Sequence, residues 1–156
     1  MIDDWQHFHG IGPAEVLKQL AQKAISPTDF VQRHWNDHPI KPMVRQKLNT
    51  PVLFHGHCHA KALWGTGDDA ELLKHLAGGN ATVLDTGCCG MAGAFGYTRD
   101  HYELSMKIFG QAEFDPIRQA PAEAVILASG TSCRHQIQHA AGRKTMHPIE
   151  WLAELL

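Results

Sequence analysis

The residues of this 156-residue chain best suited to chemistry are four cysteines and twelve histidines. The cysteines are Cys58, Cys88, Cys89 and Cys133. Thiolates are soft ligands, fitted to zinc or to iron–sulfur clusters. The chain opens Met-Ile-Asp-Asp-Trp, with no basic patch followed by an apolar stretch. It reads as neither a secretory signal nor a transit peptide, so a cytoplasmic location and reduced thiols are expected. In that setting clustered cysteines point to metal or redox chemistry before they point to disulfide staples. Cys88 and Cys89 are neighbours, with Cα atoms only about 3.8 Å apart, and a disulfide between them is strained. The plain alternative is four buried cysteines acting as small hydrophobes.

The elements that must position these thiols follow from apolar periodicity. Residues 51–57 read as a strand, 62–77 as a helix, 81–87 as a second strand and 100–111 as a second amphipathic helix. Residues 122–129 read as a third strand, and 132–141 as a helix ended by Gly142. Residues 144–147 are a candidate fourth strand, and Pro148 opens a final helix at its first turn. Alternating strands and helices predict an α/β, Rossmann-like three-layer domain with a mostly parallel sheet of about four strands. Residues 1–50 carry four prolines and short apolar pieces, with helices at 14–24 and 27–35 and an extended stretch from His38. They read as a helical adapter before a cysteine-rich domain at 51–156.

This layout makes a geometric statement. Cys58 follows the first strand, Cys88 and Cys89 the second, and Cys133 the third. In a parallel sheet the carboxyl ends lie on one edge, where open α/β sheets bind ligands. All four thiols are expected to meet there, as ligands of an iron–sulfur cluster or of a tetrahedral zinc ion. The intervening loop carries Gly87, Gly90, Gly93 and Gly96 at every third residue. That is not the G-x-G-x-x-G spacing of a dinucleotide fingerprint. Gly87, Gly90 and Gly93 are read as letting the backbone wrap closely around a bound cluster, with amide N–H groups free to meet sulfur or an anion. His55, His57 and His59 flank Cys58, and in an extended segment they point away from it. A place behind the ligands or at the surface is expected for them and for His135. Lys61 and Arg134 offset thiolate charge or are simply solvated.

Composition excludes several classes of function. Apolar residues make up 44% of the chain and charged residues 19%, a globular balance. Fourteen basic residues against sixteen acidic ones give a net charge of -2, which leaves no footprint for nucleic acid or an anionic membrane. No apolar run approaches the roughly 20 residues of a transmembrane helix.

From residue 51 on, the chain resembles the cysteine-rich CCG domain family. The resemblance rests on His55-Gly-His-Cys-His-Ala-Lys-Ala-Leu, Asp85-Thr-Gly-Cys-Cys-Gly-Met-Ala-Gly-Ala-Phe-Gly-Tyr, Gly130-Thr-Ser-Cys-Arg-His-Gln-Ile and Gly142-Arg-Lys-Thr-Met-His-Pro. The family occurs in the B subunit of heterodisulfide reductase, in the iron–sulfur subunit of glycolate oxidase and at the C-terminus of large FAD-linked oxidases, the last being most similar. Its pattern is a cysteine, a Cys-Cys-Gly and a Cys-x-x-Cys. Four of those five places are Cys58, Cys88, Cys89 and Cys133, and Gly130 stands at the fifth.

The resemblance implies a 4Fe-4S-type cluster and an electron-transfer module of a flavin-linked 2-hydroxyacid-type oxidoreductase. FAD would sit only on a partner; the partners implied are a flavoprotein or a ferredoxin-type subunit, and the chain would reach the inner membrane only through such partners. No catalytic residue is expected within it, and no activity alone. The other readings are a structural zinc-binding assembly domain without redox activity and a disulfide-exchange enzyme. The vicinal Cys88 and Cys89 suit disulfide exchange poorly.

Overall fold

The computed structural model describes residues 4–39, 44 and 49–156. Most of the extended stretch expected from His38, namely 40–42, lies outside them.

The first strand, β1 (Val52–His55), forms because its apolar run Val52-Leu-Phe suits a pleated, buried surface. It is the centre of a parallel sheet ordered β2-β1-β3, with β2 (Ala81–Val83) and β3 (Val125–Ala128) on either side. Period-2 alternation sends the two faces of this sheet into separate cores. Val52, Phe54 and Leu127 face one cluster, with Leu72, Leu73, Leu76, Trp151 and Leu152. Ile126 and Ala128 face the other, with Phe109, Phe114, Ile117, Cys133 and Ile137. Each buried Leu or Phe contributes roughly 1.5–3 kcal/mol.

Helices cover both faces, giving the three-layer, Rossmann-like arrangement. Short α1 (Asp4–His7) and α2 (Ala14–Lys23) pack on each other. Helix α3 (Pro27–His34) is capped by the Ser26 hydroxyl, which accepts from Asp29 N–H at 3.0 Å, and it packs on α5 and α9. After β1 come α4 (Cys58–Trp64) and α5 (Gly67–Ala77). After β2 a single 3-10 turn at Phe95–Tyr97 leads into α6 (Arg99–Gln111) and α7 (Asp115–Gln119). Helix α8 (Thr131–Ala141) follows β3 and ends at left-handed Gly142. Helix α9 (Pro148–Leu155) opens with a capping box: His147 Nδ1 accepts from Ile149 N–H at 3.1 Å, and Glu150 accepts from His147 N–H at 2.7 Å.

Two expectations need correction, and one helix stands where none is expected. The helix expected over 62–77 is two helices, broken at Gly65, whose φ of 76° no ordinary helical residue adopts. The first of them begins at Cys58, four residues earlier than expected. Residues 144–147 do not add a fourth strand. Met146 makes one parallel bridge with Leu127, bonded through Ala128 N–H and Ile126 O, before Pro148 turns the chain into α9. Helix α7 was not anticipated; it starts at Asp115-Pro116 and drives Ile117 into the core. Among the described residues, no helix is long and apolar enough to cross a membrane.

Candidate metal centre

The parallel sheet puts three strand-to-helix junctions on one edge. Cys58 is the first residue of α4, three residues past the end of β1. Cys133 lies in the first turn of α8, just past β3. Cys88 and Cys89 lie in the loop that continues from β2 towards α6. Cys89 and Cys133 are buried, Cys58 and Cys88 half-buried, and all four are free thiols.

Two of the thiols touch directly. Cys89 Sγ and Cys133 Sγ are 3.3 Å apart and share a hydrogen bond. That bond holds the Cys89 thiol down to about 7, while the same bond, together with burial, pushes Cys133 strongly up. Burial, followed by the charge of Cys88 beside it, pushes Cys58 up as well. Cys88 Sγ accepts from Gly90 N–H at 3.3 Å.

A tetrahedral zinc with bonds of about 2.3 Å spaces its sulfurs about 3.8 Å apart. The Cys89–Cys133 contact is slightly tighter, as suits protonated thiols bonded to each other. Among the described residues, no three His, Cys, Asp or Glu side chains are already drawn into metal-holding geometry. The donor set itself fits a thiophilic metal: four sulfurs in mutual electrostatic contact, one receiving a backbone N–H.

Three of the four loop glycines have a packing reason. A Cβ on Gly90 (φ 86°) would lie 2.3 Å from the Ser105 carbonyl oxygen. One on Gly96 would lie within 2.6 Å of Met91 Sδ and clash with Ser105 Oγ. A Cβ on Gly87 would lie 3.2 Å from Ala112 Cβ, and Gly93 only needs its φ of 70°. Gly130, at the α8 N-terminus, faces His57 Cδ2 at 2.6 Å and Cys133 Sγ at 3.0 Å from where its Cβ would stand. The imidazole of His57 fills the room a side chain at 130 would need.

The histidines do not share one direction. His55 is fully buried, His57 half-buried and His59 exposed. His57 N–H donates to Ser129 Oγ at 3.2 Å. Burial and then His59 lower the His57 pKa. His135 is exposed and pairs with the Tyr97 hydroxyl at 2.5 Å. One turn later His139 pairs with Tyr102 at 2.7 Å, and both pairs line a cleft of about 300 Å³ beside Met91. Arg134 and Lys61 are not simply solvated. Arg134 donates to the carbonyls of Ala128 and Ser129 at 3.1 and 3.2 Å, closing the end of β3. Lys61 Nζ donates to Thr86 O at 2.5 Å. Sequence reasoning missed Thr86 altogether, because nothing local marks it as a meeting point.

An α/β domain with four thiols at the carboxyl edge of its sheet is the class this geometry defines. Relatives similar to this chain belong to dehydrogenases. The C subunit of anaerobic glycerol-3-phosphate dehydrogenase from Escherichia coli strain K12 is 35% identical over 118 residues, covering 76% of this chain and 28% of that protein. D-2-hydroxyglutarate dehydrogenase of Pantoea ananatis is 32% identical over 101 residues, or 64% of this chain and 10% of that protein. The Escherichia coli strain K12 enzyme of the same name is 31% identical over 104 residues. The chain thus spans about a quarter of the first relative and a tenth of the others. No protein-family model matches the chain. No solved structure matches it.

Proposed function

We propose that this chain is a CCG-type electron-transfer module of a flavin-linked 2-hydroxyacid-type oxidoreductase. Cys58, Cys88, Cys89 and Cys133 would hold an iron–sulfur cluster of 4Fe-4S type, and Gly87, Gly90 and Gly93 shape the loop against it. When bound, the cluster supplies one-electron carriage. The chain's own residues bind and bury it. Cys89 is poised to ionise near neutral pH, and Gly90 N–H meets the Cys88 sulfur. The partner is a flavoprotein, which carries FAD and oxidises the substrate, or a ferredoxin-type subunit. The module works in the cytoplasm and reaches the inner membrane through that partner, with residues 1–50 as adapter and 51–156 as the cysteine-rich domain. It has no turnover by itself.

The observation that carries this reading is the convergence of four free thiols on one sheet edge, in a chain similar to segments of two dehydrogenases. A second reading, a structural zinc domain, draws on the 3.3 Å Cys89–Cys133 contact, which is close to the sulfur spacing of a tetrahedral site. Iron, zinc and acid-labile sulfide are to be measured on anaerobically purified protein. Iron with sulfide and a brown colour supports the first reading. Stoichiometric zinc in colourless protein supports the second, and neither metal removes both.

A further inference from the structure

His55 ends a strand that is otherwise Val-Leu-Phe, and it is wholly buried. Its ring packs on Phe114 with centroids 4.9 Å apart. Its Nδ1 bonds Thr86 Oγ1 at 2.5 Å, while its buried Nε2 has no hydrogen-bond partner. An unpartnered buried polar atom is destabilising, and an apolar side chain of similar size avoids that penalty. Stability alone therefore does not explain an imidazole here. What the imidazole adds is the bond to Thr86.

Thr86 is itself only 3% exposed and is gripped a second time. Lys61 Nζ donates to its carbonyl oxygen at 2.5 Å. Lys61 lies three residues after Cys58 on α4, on the same face of the helix. Gly56 makes room for this reach, since a Cβ there would stand 3.1 Å from Lys61 Cγ and 2.8 Å from Thr66 Cγ2. The next residue, Gly87, donates its N–H to Ala112 O at 3.2 Å, and Cys88 and Cys89 follow at once. Thr86 is thus where the end of β1 and the helix of Cys58 are tied to the root of the double-cysteine loop.

We propose that His55 and Lys61 are positioning residues that grip Thr86, one by its hydroxyl and the other by its carbonyl, and so set the spacing between Cys58 and the Cys88–Cys89 pair. The inference rests on reading the four thiols as one metal centre. The grip is nonetheless a property of the chain and is measurable without metal. Residues that hold a ligand-bearing segment in place typically change metal affinity by about 10- to 100-fold.

The test uses the full chain, reduced and anaerobic, as wild type, Thr86→Val, Thr86→Ser and His55→Leu. Thr86→Val keeps the shape and removes the hydroxyl, and Thr86→Ser restores the hydroxyl. Cobalt(II) affinity is followed by thiolate-to-cobalt charge-transfer absorption. The rate at which a bifunctional thiol reagent bridges Cys58 to Cys88 in metal-free protein is followed by peptide mass. Thr86→Val and His55→Leu are expected to bind cobalt at least about tenfold more weakly and to bridge more slowly. Thr86→Ser should keep wild-type values, and His55→Leu should melt no lower than wild type. Wild-type affinity and bridging rate in both Thr86→Val and His55→Leu overturn the proposal. Should wild type bind neither cobalt nor iron, the metal reading fails and the bridging rates decide the grip alone. Equal rates then overturn it, and slow Thr86→Val rescued by Thr86→Ser sustains it. Should His55→Leu not fold, the Val and Ser variants decide in the same way.

Discussion

Gly90→Ala should destabilise the chain far more than Gly93→Ala, although the two glycines lie three residues apart in one loop. Both have positive φ, 86° and 70°. An L side chain in the left-handed region costs roughly 1–2 kcal/mol, and both variants incur that. Only Gly90 has an obstacle: its added Cβ would stand 2.3 Å from the Ser105 carbonyl oxygen and 3.2 Å from Ser105 Cα, whereas nothing lies within 4 Å at Gly93. The obstacle is helix backbone in α6, and Ser105 is itself 1% exposed, so no side-chain rotation relieves it. Relief requires shifting the loop or α6 by about an ångström, an overpacking cost of roughly 1–3 kcal/mol. Gly90→Ala should therefore lose about 2–5 kcal/mol and Gly93→Ala about 1–2 kcal/mol. The assay is urea denaturation of reduced, metal-free protein with the slopes compared, since equal slopes license reading the midpoint shift as stability. Free energies for the two variants within about 0.5 kcal/mol of each other, near the limit of ordinary surface substitutions, would refute the close-approach argument.

Three further outcomes are expected. Acid should weaken the fold through His55. Its native pKa is lowered to about 4 by burial, then by Lys61 and His57, against about 6.5 in the unfolded chain, so this stability is fully present above pH 6.5 and is lost as pH falls towards 4. The loss reaches about 3 kcal/mol, and a His55→Leu variant with the same acid profile as wild type would contradict it. In metal-free protein one thiolate should appear near pH 7 by ultraviolet titration, ahead of the ordinary thiol near 8.5, and should vanish in both Cys89→Ser, which removes the thiol, and Cys133→Ala, which removes the shared hydrogen bond. Persistence in Cys133→Ala would show that the bond is not the cause. Arg143→Met should cost about 1.5–3 kcal/mol in thermal or urea melts, because its guanidinium donates to the carbonyls of Ala120, Pro121 and Ala124 at 2.6, 2.8 and 3.3 Å. An unchanged midpoint would show that water replaces those bonds without loss.

The class of fold was legible because its signals are local. Val52-Leu-Phe and Val125-Ile-Leu-Ala announce buried strands by composition, and the helices after them by 3.6-residue periodicity. Strand–helix alternation then implies parallel pairing, and the structure has it, in three strands. The fourth strand failed for a reason that is also local but quantitative. His147 and Pro148 commit to capping α9 so soon after Gly142 that only Met146 reaches the sheet. The helix over 62–77 was misread because its apolar period continues across Gly65, while the backbone there turns away.

The place of each cysteine, one short step past a strand, is readable from the residues alone, because it depends only on order along the chain. Tertiary structure alone decided what surrounds them. His55 reads as one more histidine near a cysteine until it is found buried against Phe114, far along the chain, and bonded to Thr86. Tyr97 and His135, and Tyr102 and His139, find each other across 38 and 37 residues. Gly90 reads as cluster wrapping, yet its lack of a side chain is required by the Ser105 carbonyl of a later helix. Contacts of this kind depend on where two packed surfaces meet, and no period of 2 or 3.6 encodes that.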